Sequence, residues 1–170
     1  MIFTATTIPG AYLVDIEPHR DERGFFARTM CEEDFTRQGL NGRFVQQSVS
    51  LNNRKGIVRG MHFQAAPHEE EKLVRVTQGI VWDVILDVRE RSPAFGRWFS
   101  VELSAENRRA LYIPKGVAHG FQTLSDNAEV FYQMTVPYHP ESARNIHWRD
   151  PAFGIDWPHP GDAILSPRDS

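Results

Sequence analysis

Between residues 80 and 88 the chain alternates strictly. Ile80, Trp82, Val84, Leu86 and Val88 fall on one parity, and Val81, Asp83, Ile85 and Asp87 on the other. Period two belongs to an extended strand, because successive side chains leave a pleated backbone on opposite faces. A helix would scatter these residues around its axis. The pattern predicts a strand with one strongly buried face, and it recurs at Phe99, Val101 and Leu103 and at Val130, Tyr132, Met134 and Val136. Further strands are expected at 12–17, 44–51, 57–63, 73–77, 111–113 and 120–124, with turn signals between them at Asn52-Asn53, Gln78-Gly79, Ser92-Pro93, Pro114-Lys115-Gly116 and Ser125-Asp126-Asn127. Only residues 32–38 read as a helix, closed by Gly39. Many short strands with regular turns imply an all-β sandwich or closed barrel with at most a few short helices.

The length of 170 residues, with no repeat or linker, fits a single domain over 1–170. A net charge of -3 argues against a nucleic-acid or membrane surface, which needs a basic stripe. The one cysteine, Cys31, has no partner in the chain, and the opening Met1-Ile2-Phe3-Thr4 is not a basic stretch followed by an apolar run. A reducing, cytoplasmic setting is the expectation.

Two segments place a histidine beside glycines: Arg59-Gly60-Met61-His62-Phe63-Gln64 within a strand, and Pro114-Lys115-Gly116-Val117-Ala118-His119-Gly120-Phe121 at a turn entering one. Lys72 opens a strand between them, and Tyr132 takes the core-facing parity of a later one. Each has an ordinary structural explanation: a hydrogen-bonded core histidine, a solvated lysine, a core aromatic, an ion-paired arginine. Spacing alone does not choose between these and a catalytic role.

Several blocks occur in order along nearly the whole chain. They are Asp21-Glu22-Arg23-Gly24-Phe25-Phe26, Arg59–Gln64, Lys72-Leu73-Val74-Arg75-Val76, Ser92-Pro93-Ala94-Phe95-Gly96-Arg97-Trp98, Leu103-Ser104-Ala105-Glu106-Asn107, Pro114–Phe121, Asp150-Pro151-Ala152-Phe153-Gly154-Ile155-Asp156-Trp157-Pro158 and Leu165-Ser166-Pro167-Arg168-Asp169. Together they resemble the dTDP-4-dehydrorhamnose 3,5-epimerase family. The resemblance implies a cupin-type jelly roll and a homodimer that exchanges N-terminal strands. It also implies a cofactor-independent and metal-independent epimerase that inverts C3, C5 or both in a nucleotide-linked 4-keto-6-deoxy sugar, acting in deoxysugar and polysaccharide biosynthesis. By the same resemblance His62 matches the general base, Asp169 its carboxylate partner, Tyr132 the general acid and Lys72 the lysine near the keto oxygen. Arg23, Phe26, Arg28, Gln47, Arg59, His119 and Arg168 fall at substrate-contacting positions.

The chemistry suits those residue types. An imidazole held neutral by a carboxylate can take a proton from a carbon next to a ketone. The enolate oxygen needs a cationic or donor partner, and inversion needs a proton delivered from the opposite face. No Gly-x-Gly-x-x-Gly or phosphate loop is present to hold a nucleotide cofactor.

The chain departs from the family pattern at Arg28, where many members carry glutamate, and at Gln46-Gln47-Ser48-Val49-Ser50, where many read Gln-Asp-Asn-His-Ser. Ala143 replaces another glutamate, and Arg168 a lysine. The expectation is a retained reaction class with an altered nucleotide or sugar shell. The competing readings are a metal-dependent cupin using His62, Glu69 and His119, a non-catalytic sugar-binding jelly roll, and a keto-isomerase of the same sugar nucleotides. One conflict stands: strict alternation puts Arg59 and His62 on opposite faces, unless Gly60 marks a bulge or Arg59 reaches in from the barrel edge.

Overall fold

A computed structural model describes residues 1–169. Its strands are β1 (Ile2–Ala5), β2 (Tyr12–Asp15), β3 (His19–Asp21), β4 (Gly24–Phe26), β5 (Gln46–Asn52), β6 (Val58–Gln64), β7 (Lys72–Gln78), β8 (Ile80–Asp87), β9 (Trp98–Ser104), β10 (Ala110–Ile113), β11 (Val117–Thr123), β12 (Ala128–Met134) and β13 (Ala143–Asn145). The helix α1 (Glu32–Arg37) follows β4, and short 3-10 turns cover Pro140–Ser142 and Pro160–Asp162. β1, β3, β4 and β13 have too few residues to show an alternation, and sequence periodicity does not find them.

The strands form a six-stranded sheet, β1-β2-β10-β7-β12-β5, and a five-stranded sheet, β13-β6-β11-β8-β9. Every ladder within them is antiparallel. This is a jelly-roll sandwich with three apolar layers. The middle layer lies between the sheets and includes Val74, Val76, Val81, Ile85, Leu111, Phe121 and Val130. α1 covers the outer face of the larger sheet through Phe35, packed with Val14, Leu73, Ala110 and Tyr112. The C-terminal segment covers the outer face of the smaller sheet, with Trp148 and Trp157 against Val58, Met61, Val84 and Leu86.

That outer cover corrects the expectation for β8. Its two faces are both buried, because the Trp82, Val84 and Leu86 row lies under the C-terminal segment. Val81 and Ile85 look into the middle layer, and on their parity stand the fully buried Asp83 and Asp87. Period two was correctly read; which parity faces the interior depended on a cover more than 60 positions away in the chain.

The parity conflict in β6 resolves as a bulge. Opposite β11, His62 pairs with His119 and Arg59 with Phe121, so three steps on β6 match two on β11. Val58 and Met61, also three apart, accordingly share the outer cluster. Gly60 permits this: its φ is +128°, and a Cβ there would stand 2.5 Å from Gly120 Cα and 2.8 Å from the His119 carbonyl oxygen. Only glycine tolerates both that backbone region and that approach.

Candidate active site

A cavity of about 470 Å³ opens between the sheets, lined by Gln46, Ser48, His62, Lys72, Tyr132 and Arg168 among others. Its size falls within the roughly 300–1,000 Å³ typical of small-molecule sites. β6 of the smaller sheet presents His62, while β7 and β12 of the larger sheet present Lys72 and Tyr132. The imidazole and the phenol therefore enter one cavity from opposing walls.

Behind His62 sits Asp169, 3% exposed although it lies near the end of the chain. Its Oδ1 is 2.6 Å from His62 Nε2, and its Oδ2 accepts a hydrogen bond from Ser166 Oγ at 2.9 Å. The Asn145 side chain donates to the carbonyl of Arg168 at 2.9 Å, anchoring this last turn to β13. A carboxylate only accepts, so Nε2 carries the proton and Nδ1 keeps its lone pair. Burial lowers the pKa of His62, the Asp169 carboxylate acts against that fall, and the cations Arg168 and Lys72 add to it. The ring is therefore a neutral base at neutral pH.

Tyr132 is driven the other way. Burial and the nearby Asp83 carboxylate raise its pKa, against the opposing influence of Arg59 and Ser50. The group stays a protonated phenol, the form a proton donor requires. His119 packs edge-on against it with ring centroids 6.1 Å apart. His119 Nε2 lies 2.9 Å from Asp83 Oδ2 in a second, fully interior histidine–carboxylate pair. Burial raises the Asp83 pKa, while His119 and Lys72 hold it down, and Asp83 Oδ1 has no hydrogen-bond partner.

Lys72 Nζ is 3.0 Å from Glu70 Oε1, with both side chains largely buried. Glu70 Oε2 in turn accepts from Gln64 Nε2 at 3.1 Å. The lysine is thus held at the wall between the two dyads. Arg59 Nε donates to Asn52 Oδ1 at 2.8 Å, close enough to Tyr132 for its charge to act there.

Other candidate residues lie elsewhere. Arg23, on the β3–β4 turn, is ion-paired with Asp21 and has an 85% exposed side chain. Phe26 is 75% exposed, and Phe26 and Arg28 border a separate cavity of about 190 Å³ with Met1, Glu17, His19 and Asp34. Gln47 is exposed on the face of β5 opposite the cavity-lining Gln46 and Ser48. Strand parity was the available signal for Gln46 and Ser48. For Asp83 and Glu70 there was none, since buried acids look like any others in a sequence. The set His62, Glu69 and His119 is not gathered: each histidine is engaged by its own aspartate, and among the described residues the one group of three or more close metal-ligating side chains is His68, His139 and Glu141. No helix among the described residues is long and apolar enough to cross a membrane.

Comparisons with known proteins agree on one family. The family model described as dTDP-4-dehydrorhamnose 3,5-epimerase matches residues 5–170. A dTDP-4-dehydrorhamnose 3,5-epimerase of Methanothermobacter thermautotrophicus is 46% identical over 169 residues, covering 98% of this chain and 90% of the relative. The crystal structure of the enzyme of that name from Elizabethkingia anophelis superposes with a TM-score of 0.96 at 40% identity, covering 99% of this chain and 93% of its own. The dTDP-6-deoxy-D-glucose-3,5-epimerase of Legionella pneumophila, solved in complex with dTDP-4-keto-L-rhamnose, gives a TM-score of 0.92 at 42% identity, with 99% and 89% coverage. With a model match over nearly its whole length and relatives this similar, the chain belongs to the dTDP-4-dehydrorhamnose 3,5-epimerase family.

Proposed function

We propose that this protein epimerises a nucleotide-linked 4-keto-6-deoxy sugar at C3 and C5 by proton exchange. The observation that carries the reading is the opposition, across one cavity, of the His62–Asp169 dyad and the protonated Tyr132. His62 Nδ1 takes the proton from the carbon beside the ketone, and the C–H electron pair moves to the carbonyl oxygen as an enolate. The Lys72 ammonium stabilises that oxygen, and one such donor in a low-dielectric site is typically worth roughly 3–4 kcal/mol. Tyr132 then protonates the carbon from the opposite face, inverting it; the phenol regains a proton from solvent and the His62 imidazolium releases its own to solvent. Asp169 keeps the His62 tautomer fixed. No step draws on a redox group or a Lewis acid.

The β3–β4 hairpin pairs only with itself and carries Arg23 and the exposed Phe26. In a homodimer it reaches the cavity of a second copy, bringing Arg23, Phe26 and Arg28 to the substrate. Arg168 lies inside the cavity for the phosphates, with the exposed Arg59 and the buried His119 both close to Tyr132. Ser48 and Ala143 line the wall near His62. They carry less polar bulk than the asparagine and glutamate of many family members, which favours a sugar or nucleotide different from theirs.

The test is solvent deuterium uptake. Protein treated with chelator is incubated in heavy water with dTDP-4-keto-6-deoxyglucose and its analogues on other nucleotides, and the sugars are read by NMR. Uptake at C3 and C5 is expected, and uptake at one carbon alone would restrict the reaction to that centre. His62→Ala should abolish exchange in a folded protein; substantial exchange in that variant would remove His62 as the base.

A further inference from the structure

At the rim of the same cavity two loops meet through a cluster unrelated to the proton chemistry. His68 lies between β6 and β7, and His139 and Glu141 flank the start of the 3-10 turn that leads into β13. The imidazoles stack at 3.5 Å with an angle of 4° between their planes. Glu141 Oε1 is 3.0 Å from His139 Nδ1 and 3.7 Å from His68 Nδ1, and the three ligand atoms all lie within 4.8 Å of one another. Ser142 Oγ adds an oxygen 2.9 Å from His68 Nδ1.

Those spacings match a metal centre. Ligands at 2.0–2.1 Å from a tetrahedral zinc ion stand about 3.4 Å from one another. The two carboxylate–imidazole distances bracket that value. The loops are also held in place without any ion. The buried Gln64 carboxamide accepts the His139 backbone N–H at 2.5 Å and donates to the His68 carbonyl at 3.0 Å. Ala65 N–H donates to the Ser142 carbonyl at 2.8 Å, so the backbones at His68, His139 and Ser142 are fixed before anything binds. Only the ring planes need adjustment. Stacked rings point their lone pairs in parallel, and a counter-rotation about the two Cβ–Cγ bonds makes them converge. The side chains are 32% exposed and have room to turn.

The geometry points to a binding site for a borderline divalent transition-metal ion, of the zinc, cobalt or nickel kind, formed by His68, His139 and Glu141 with a water or Ser142 Oγ as fourth ligand. Two imidazoles and one carboxylate select such ions over magnesium or calcium, which prefer all-oxygen shells. The ion would clip the β6–β7 loop to the segment after β12. That segment carries Tyr138, a cavity-lining residue, beside His139. The role is structural, and it stands whether or not the epimerase reading holds.

The full-length protein, stripped with chelator and dialysed, is titrated with Zn²⁺ by calorimetry and with Co²⁺ by visible absorption. One equivalent should bind with a Kd in the micromolar range or below, giving the intense visible bands of low-coordinate cobalt. Zinc at a hundredfold excess over Kd should raise the melting temperature. His68→Ala and His139→Ala should each weaken binding at least tenfold, Glu141→Gln severalfold, and His147→Ala not at all. Circular dichroism of each variant separates loss of the site from loss of the fold. No heat and no cobalt band up to millimolar metal would overturn the site. So would binding that survives in the folded His68→Ala, His139→Ala double variant.

Discussion

Replacing Asp169 with asparagine removes one charge and almost no volume from the site. The carboxylate makes a 2.6 Å hydrogen bond to His62 and is nearly fully buried. Hydrogen bonds to charged groups contribute about 1.5–3 kcal/mol. At about 1.4 kcal/mol per factor of ten, the pH-independent rate of carbon-bound proton exchange should fall by about tenfold to somewhat over a hundredfold. The pH dependence has a definite sign. Asp169 is what opposes the fall of the His62 pKa; burial, Arg168 and Lys72 all lower it. Without the carboxylate the imidazole loses its proton at still lower pH, so the acid limb of the exchange profile moves to lower pH while its plateau drops. Deuterium uptake measured by NMR from pH 5 to 8 reads both quantities. A limb that moves upward, or a plateau within twofold of wild type, would refute the dyad as the source of the base.

Tyr132→Phe should leave deuterium exchange at the His62-facing position largely intact while inversion falls by about 10²-fold or more, the usual scale for a lost general acid; equal losses in both would deny Tyr132 a dedicated role. Glu70→Gln takes the 3.0 Å partner from Lys72 and should lower kcat with little change in KM, at a stability cost of up to about 3 kcal/mol in urea denaturation. An unchanged kcat would show that the lysine needs no anchor. Gly60→Ala drives a methyl into the Gly120 backbone, 2.5 Å away, at a φ that disfavours side chains. It should cost about 2–5 kcal/mol, the sum of overpacking and backbone strain, and a loss below 1 kcal/mol would mean that the two strands separate easily.

The strands that cross the core were legible in the sequence, because a sheet with a buried face writes its period directly into the order of apolar residues. β8 and β9 fall where the alternation put them, β7 falls on the expected 73–77, and α1 occupies 32–37 of the expected 32–38; β12 stops at Met134, before the expected Val136, and β11 starts at Val117, three residues ahead of the expected 120–124 and inside what read as a turn. Family membership was legible too, since ordered blocks such as Arg59–Gln64 and Pro114–Phe121 survive in a linear reading. What the sequence could not contain is anything that depends on which surfaces meet. The inward parity of β8 was decided by Trp148 and Trp157 closing over its other face. The shared side of Arg59 and His62 was decided by the contact of Gly60 with Gly120 across two strands. Asp83 stands 36 positions from His119, and nothing in the sequence marks it as a partner; Asp169, 107 positions from His62, was assigned through the family resemblance alone, with no local signal. Gln46 and Ser48, rather than Gln47, turn to the cavity because β5 pairs with β12 in one register, and a one-residue slip would reverse them. Periodicity is a property of neighbours along the chain, whereas pKa values, dyads and cavities are properties of neighbours in space, and only the folded chain brings those together.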